Sequence, residues 1–176
     1  PGLLDMLIHE QNFDHKDVAA QALIAIGDAG ATPALIELLS NEDQQIRVLA
    51  VKVLAALKAP GAVPVLREML KTDRPLQEKI AVVEALGKIG DPAAAESFEQ
   101  IVATPGGDED FGKLRSAAMG ALKQLGDAGA AVFIRVLEQN PNSDVRIGAA
   151  AVLGEMRSVA AVGALGEALR SWPNDN

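Results

Sequence analysis

The feature that most constrains the fold of this chain is an internal repeat of about thirty-one residues. A basic residue marks each copy, and these five anchors, separated by 31, 32, 36 and 31 residues, are Lys16, Arg47, Lys79, Arg115 and Arg146. Seven positions after each anchor stands a leucine, at Leu23, Leu54, Leu86, Leu122 and Leu153. Alanine or valine occurs three and six positions after every anchor. Because these offsets lie along one face of an α-helix, each repeat is predicted to contain a helix with a single apolar face.

A second apolar stripe, nineteen positions after each anchor, indicates a second helix in every repeat. Its members are Leu35, Leu66, Phe98, Ile134 and Leu165. The cluster between Leu3 and Ile8 adds one helix before the first anchor. A single helix pair cannot bury both of its faces, so successive pairs must stack around a continuous core. The sequence therefore predicts an all-α fold of about five antiparallel helix pairs plus one terminal helix.

Two features of the repeat concern its boundaries. Gly27, Gly90 and Gly126 stand eleven positions after their anchors, where a left-handed residue closes a helix, while Lys58 and Arg157 occupy that position in the other copies. The long interval of 36 residues, together with Pro105-Gly106-Gly107, predicts an inserted loop over residues 104–112.

The motifs resemble those of a known repeat family. Pro33-Ala34-Leu35-Ile36, followed by Asp43 and Ile46-Arg47, resembles the HEAT repeat, and Asp144-Val145-Arg146 is similar to its short bacterial, phycobilisome-lyase-type form. The resemblance covers essentially the whole chain. It implies a right-handed α-solenoid forming one HEAT-like domain over residues 1–176, and a role as a binding surface or scaffold, with a few enzymes in the family. Since the chain begins at Pro1 without a methionine, we expect it to be a piece of a longer protein.

Composition argues against several classes of function. Sixteen Lys and Arg against 24 Asp and Glu give a net charge of −8, which opposes binding to nucleic acid. There is no cysteine, the two histidines lack a third ligand at a recognisable spacing, and no apolar run has the length of a membrane span. We therefore expect no catalytic residues, no metal, no cofactor, no nucleic acid partner and no membrane insertion, and a protein that is monomeric in isolation. A cytoplasmic location is slightly favoured, because no signal peptide is visible.

The resemblance implies that the anchor-containing helices line a concave face. Positions one, five and nine after each anchor should then point into the concavity, and Val48, Ile80 and Ile147 should form a repeated apolar spot. The predicted binding surface comprises Gln21, Arg47, Val48, Lys52, Lys79, Ile80, Glu84, Lys88, Gln124, Arg146, Ile147 and Glu155. The apolar spot has an alternative explanation as ordinary packing at the edge of the core. The basic anchors likewise fit either a structural ladder between repeats or a strip that binds acidic peptides.

The leading functional prediction is a scaffold, not an enzyme, that binds a protein or peptide on the concave face. One alternative is an enzyme of the kinds found in the family, either a bilin lyase component or a protein like the HEAT-like DNA glycosylases. An aromatic content of 3% argues against a chromophore cleft, and the acidic net charge argues against a DNA groove. The other alternative is a purely structural spacer. Trp172 is predicted to cover the last helix.

Overall fold

The computed structural model describes residues 2–170 in full and the backbone of residue 171, so the predicted cap Trp172 lies outside the described residues. Within this range the chain forms eleven α-helices and no β-strand, which confirms the all-α prediction. The helices are α1 (Gly2–His9), α2 (Phe13–Ile26), α3 (Thr32–Leu38), α4 (Gln44–Ala56), α5 (Val63–Lys71), α6 (Leu76–Ile89), α7 (Ala95–Ala103), α8 (Glu109–Gln124), α9 (Asp127–Gln139), α10 (Ser143–Glu155) and α11 (Val162–Ser171). Short 3-10 turns precede α3, α5, α7 and α11.

The chain divides into two compact units, Pro1–Ala94 and Ala95–Asn176. In the first unit, α1 packs with α2, α3 with α4 and α5 with α6, whereas the repeat pattern predicted α2 with α3 and α4 with α5 as the pairs. The anchor-containing helices α2, α4 and α6 also pack side by side in this order. Leu35, Leu54, Leu66 and Leu86 are fully buried between these pairs, so the repeated leucines form the core of the unit.

The second unit is organised around α9. This helix packs against α7, α8, α10 and α11, and its Phe133 and Leu137 are buried together with Phe98 of α7 and Leu122 of α8. The two anchor-containing helices of this unit, α8 and α10, pack against each other much less extensively than α4 and α6 do. Space is therefore left between α8 and α10.

The segment predicted to be an inserted loop, residues 104–112, is irregular only over 104–108. Asp108 is extended and its side chain accepts a hydrogen bond from the backbone N–H of Phe111, so α8 begins at Glu109. The acidic Glu109 and Asp110 lie in the first turn, where the helix dipole favours negative charge. The extra residues of this repeat thus lengthen α8 to 16 residues instead of forming a longer loop.

All five residues eleven positions after an anchor have positive φ. Gly27 (φ 68°) and Gly90 (φ 78°) are left-handed, as predicted, whereas Gly126 (φ 59°) has a ψ of −123° and lies outside the left-handed helical region. Lys58 (φ 49°) and Arg157 (φ 52°) adopt positive φ although neither is glycine. The repeat therefore imposes a positive φ at all five helix ends, and two of these positions carry a side chain that disfavours it.

This strain predicts that Lys58→Gly stabilises the chain. Glycine removes the steric cost of positive φ, part of which is offset by the greater freedom of glycine in the unfolded chain, so we expect a gain of about 0.5–1 kcal/mol. Urea unfolding followed by circular dichroism measures the change. Lys58→Ala is the control, because it removes the charge and keeps the Cβ atom. An unfolding midpoint for Lys58→Gly at or below that of Lys58→Ala contradicts the assignment.

Candidate functional site

Two basic anchors of the first unit, Lys16 and Arg47, form ion pairs that join consecutive repeats. Lys16 Nζ lies 2.8 Å from Asp43 Oδ2, and Arg47 donates through Nε and Nη2 to the two oxygens of Glu78 at 2.8 and 2.7 Å. Each cation therefore meets a carboxylate of the following repeat. These two pairs fit the structural ladder better than a strip for acidic peptides.

The pair between Arg47 and Glu78 is the most deeply buried part of this ladder. The Glu78 side chain is 0% exposed and the Arg47 side chain 13% exposed, and Arg74 Nη1 adds a second guanidinium 2.5 Å from Glu78 Oε1. Burial acts to raise the pKa of Glu78, but the hydrogen bonds and charges of Arg47 and Arg74 outweigh it, so the pKa lies below the ordinary value of 4.5. Arg47 Nη1 also donates to the carbonyl oxygens of Asn41 and Glu42. Arg47 thus ties α6 to the turn before α4.

The ladder does not continue in the same form in the second unit. Arg115 Nη1 donates to the carbonyl oxygen of Thr104 at 3.1 Å, and its guanidinium carbon lies 5.4 Å from the centre of the Phe111 ring. Arg146 Nη1 donates to the carbonyl oxygens of Asn140 and Pro141, as Arg47 does in its own turn. Among the described residues of this unit, neither arginine has a carboxylate partner within 4.0 Å. Arg115 and Arg146 therefore keep the hydrogen bonds to the segment before their own helix. Among the described residues they form no ion pair with the next repeat.

In the first unit, the predicted binding residues Gln21, Lys52, Glu84 and Lys88 are exposed, while Arg47, Val48, Lys79 and Ile80 are partly exposed. Val48 and Lys52 lie together in a shallow groove of about 360 Å³. The groove is also lined by Phe13, Gln44, Gln45 and Gln77. Phe13 is 43% exposed and was missed by the sequence analysis, although an aromatic residue three positions before an anchor at a helix start was a visible signal. The structure therefore brings two of the predicted residues into one concave feature.

In the second unit, the predicted residues Gln124, Ile147 and Glu155 are exposed and Arg146 is partly exposed. Ile147 is 52% exposed on α10. Glu155 forms an ion pair with Lys123 of α8, and this pair joins α10 to α8. Sequence analysis indicated no pocket near these residues.

A cavity of about 380 Å³ lies between α8 and the first half of α10. Its apolar lining includes Val102, Met119, Phe133, Val136, Val145 and Ala149. Its polar lining consists of Arg115, Asn142 and Asp144, and Gly148 completes the wall on α10. The cavity exists because α8 and α10 pack only loosely against each other. A repeat pattern alone does not reveal this spacing between helices.

Residues 2–170 contain no group of three or more His, Asp or Glu side chains placed to hold a metal ion. None of the helices in this part of the chain is both long and apolar enough to cross a bilayer.

Comparison with known proteins agrees with the repeat geometry. A family model for HEAT repeats matches residues 1–81, and a model for the PBS lyase HEAT-like repeat matches residues 79–103 and 145–171. The chain belongs to the HEAT-repeat family. No curated protein is significantly similar to the HEAT-repeat chain in sequence.

Solved structures show the same type of fold. The structure of the complex of CpcE and CpcF of phycocyanin lyase from Nostoc sp. PCC7120 matches with a TM-score of 0.56 and 29% identity over 92% of this HEAT-repeat chain. The chain spans 66% of that protein chain, which is just under two thirds. An engineered protein matches with a TM-score of 0.51 and 23% identity, covering 96% of this chain and 84% of the other. The all-α solenoid class of HEAT-like repeats is confirmed, and it is a fold that serves scaffolds and lyase-type subunits.

Proposed function

We propose that this HEAT-repeat chain binds a protein partner through the groove that contains Phe13, Val48 and Lys52. The observation that carries the proposal is the groove itself, because it combines an exposed aromatic ring, an aliphatic side chain and a cation beside three glutamine amides. Exposed apolar side chains rimmed by polar ones are typical of protein contact sites. The groove residues lie on α2, α4 and α6, the helices that the family resemblance assigns to the binding face.

The charge of this region suggests the chemistry of the partner. Lys52 is exposed and forms no ion pair with any described residue, whereas Lys16 and Arg47 are held in the ladder. A partner segment with an apolar side chain for the surface formed by Phe13 and Val48, and a carboxylate for Lys52, is complementary to the groove. The comparison with a complex of two lyase subunits supports a role in protein assembly.

Affinity capture with the purified chain tests the proposal. We expect Lys52→Glu and Val48→Asp each to reduce the amount of captured partner protein by about tenfold or more. The reason is that a residue at the centre of an interface contributes much of its binding energy. Lys71→Glu is the matched control, since Lys71 is 67% exposed on α5 and lies outside the groove. Circular dichroism verifies that all variants keep their helices. Equal retention of every captured protein by Lys52→Glu, Val48→Asp and Lys71→Glu would show that the groove is not the contact site.

A second candidate function is that of a lyase-type subunit, and the 29% identity to the phycocyanin lyase complex favours it. The test is to mix the chain with phycocyanin lacking its chromophore and with free chromophore, alone and with a second lyase subunit. Covalent attachment is followed by visible absorbance that survives denaturation. Attachment that requires this chain supports the second candidate. Equal attachment with and without the chain counts against it.

A further inference from the structure

The cavity between α8 and α10 lies where the described part of the second unit lacks the ion pair that joins consecutive repeats in the first unit. In the first unit, Asp43, four positions before an anchor, receives Lys16, and Glu78, one position before the next anchor, receives Arg47. The corresponding positions before Arg146 are Asn142 and Val145. A neutral amide and an aliphatic side chain therefore replace the carboxylates that the guanidinium of Arg115 would otherwise meet.

Arg115 consequently lies beside the cavity, and most of its guanidinium N–H groups donate to no acceptor among the described residues. A guanidinium has five N–H donors, and among the described residues Arg115 makes one hydrogen bond, to the carbonyl oxygen of Thr104. Its side chain is partly buried against the Phe111 ring, which fixes its position beside the cavity. Asp144 is the only carboxylate in the described lining, and it is exposed and more than 4.0 Å from the guanidinium nitrogens. Its charge is therefore screened by water more than that of Arg115.

The cavity is open beside α10 because this helix carries a glycine where α4 carries a leucine. Gly148 stands two residues after its anchor, and a Cβ atom built there meets nothing within 4 Å. The equivalent residue of α4 is Leu49, which is 1% exposed and fills the space between its neighbours. The space next to Gly148 is lined instead by Met119, Val136 and Val145. Its volume of about 380 Å³ lies within the range of small-molecule sites.

The geometry points to a binding site for a small carboxylate with an apolar tail. The carboxylate would take the place of the missing ladder residue and accept hydrogen bonds from Arg115. The tail would occupy the space between Met119, Val136 and Val145, where burial of its CH₂ groups adds affinity. A bidentate contact to a guanidinium favours a carboxylate over a neutral amide of the same shape. This inference is independent of the groove in the first unit.

Octanoate is the probe for this site, and octanamide is its neutral counterpart. Titration of the full chain, followed by calorimetry and by amide chemical shifts, is expected to show octanoate binding with shifts concentrated at Met119, Val145 and Gly148. Octanamide should bind about tenfold more weakly, the factor that one charged hydrogen bond supplies. Equal affinity for octanoate and octanamide, shifts elsewhere in the chain, or no binding of octanoate up to about 10 mM overturns the assignment.

Two variants separate the charge from the cavity. Arg115→Gln should lose the preference for octanoate over octanamide and keep a weak, apolar affinity for both. Gly148→Leu reproduces the Leu49 arrangement of α4 and fills the cavity, so both compounds should lose binding while the fold is retained. Unchanged octanoate binding by Gly148→Leu contradicts the proposed location even if Arg115→Gln proves too unstable to measure.

Discussion

Replacing Arg47 by leucine is expected to lower the free energy of unfolding by about 3–5 kcal/mol, the usual cost of breaking a buried ion pair by removing one partner. Glu78 is 0% exposed, so its carboxylate remains in the interior with Arg74 as the one nearby cation among the described residues. The change also removes the hydrogen bonds from Arg47 to Asn41 and Glu42. Urea unfolding monitored by circular dichroism gives the difference.

Arg170→Leu is the matched control for this experiment. It removes the same side chain from an ion pair with Glu167 in which both partners are more than 70% exposed. Exposed pairs contribute about 0–1 kcal/mol, so this variant should unfold close to the natural chain. Similar losses for Arg47→Leu and Arg170→Leu would mean that burial of Glu78 does not set the energy of the pair.

The same pair makes stability depend on pH, with a sign that follows from the pKa of Glu78. Because the folded-state pKa is lowered below 4.5, folding favours the ionised carboxylate. The stabilisation is fully present above pH 4.5 and is lost as the pH falls through the folded-state pKa. Glu78→Gln removes this group, so the stability difference between the natural chain and Glu78→Gln should shrink steadily below pH 4.5.

The repeat made most of the fold predictable from the sequence. Leucines seven positions after each anchor report a helical face that must be buried, and Leu54, Leu86 and Leu122 are fully buried. The number of helices followed from counting such faces. The backbone at Lys58 and Arg157 was not predictable in this way, because a residue type that disfavours positive φ masks the turn that the fold imposes.

The candidate sites were predictable only in part, for a geometric reason. Helical periodicity identifies exposed positions such as Lys52 and Glu84, since it depends on one helix alone. The groove at Phe13 and the cavity at Gly148 depend on the distance between helices, which no single helix encodes. The partners of Lys16 and Arg47 were likewise not predictable from periodicity, because helix stacking brings Asp43 and Glu78 to them.

Gly129→Ala is expected to destabilise the second unit by about 3 kcal/mol, at the upper end of the usual cost of overpacking a core. Gly129 is buried in the first turn of α9, and a Cβ atom built there would clash with the carbonyl oxygen of Leu122. The obstacle belongs to the backbone of α8, so no side-chain rotation relieves it. To accept alanine, α9 must move away from α8, and this disturbs the packing of Phe133 and Leu137.

Gly120→Ala provides the matched comparison, because it makes the same chemical change in the middle of α8, where a Cβ atom meets nothing within 4 Å. Alanine is favoured over glycine inside a helix by about 1 kcal/mol, so Gly120→Ala should raise stability while Gly129→Ala lowers it. Urea unfolding of both variants therefore separates helix propensity from the contact between α8 and α9. If Gly129→Ala gains stability as Gly120→Ala does, the backbones of α8 and α9 do not approach closely enough at Gly129 to exclude a Cβ atom.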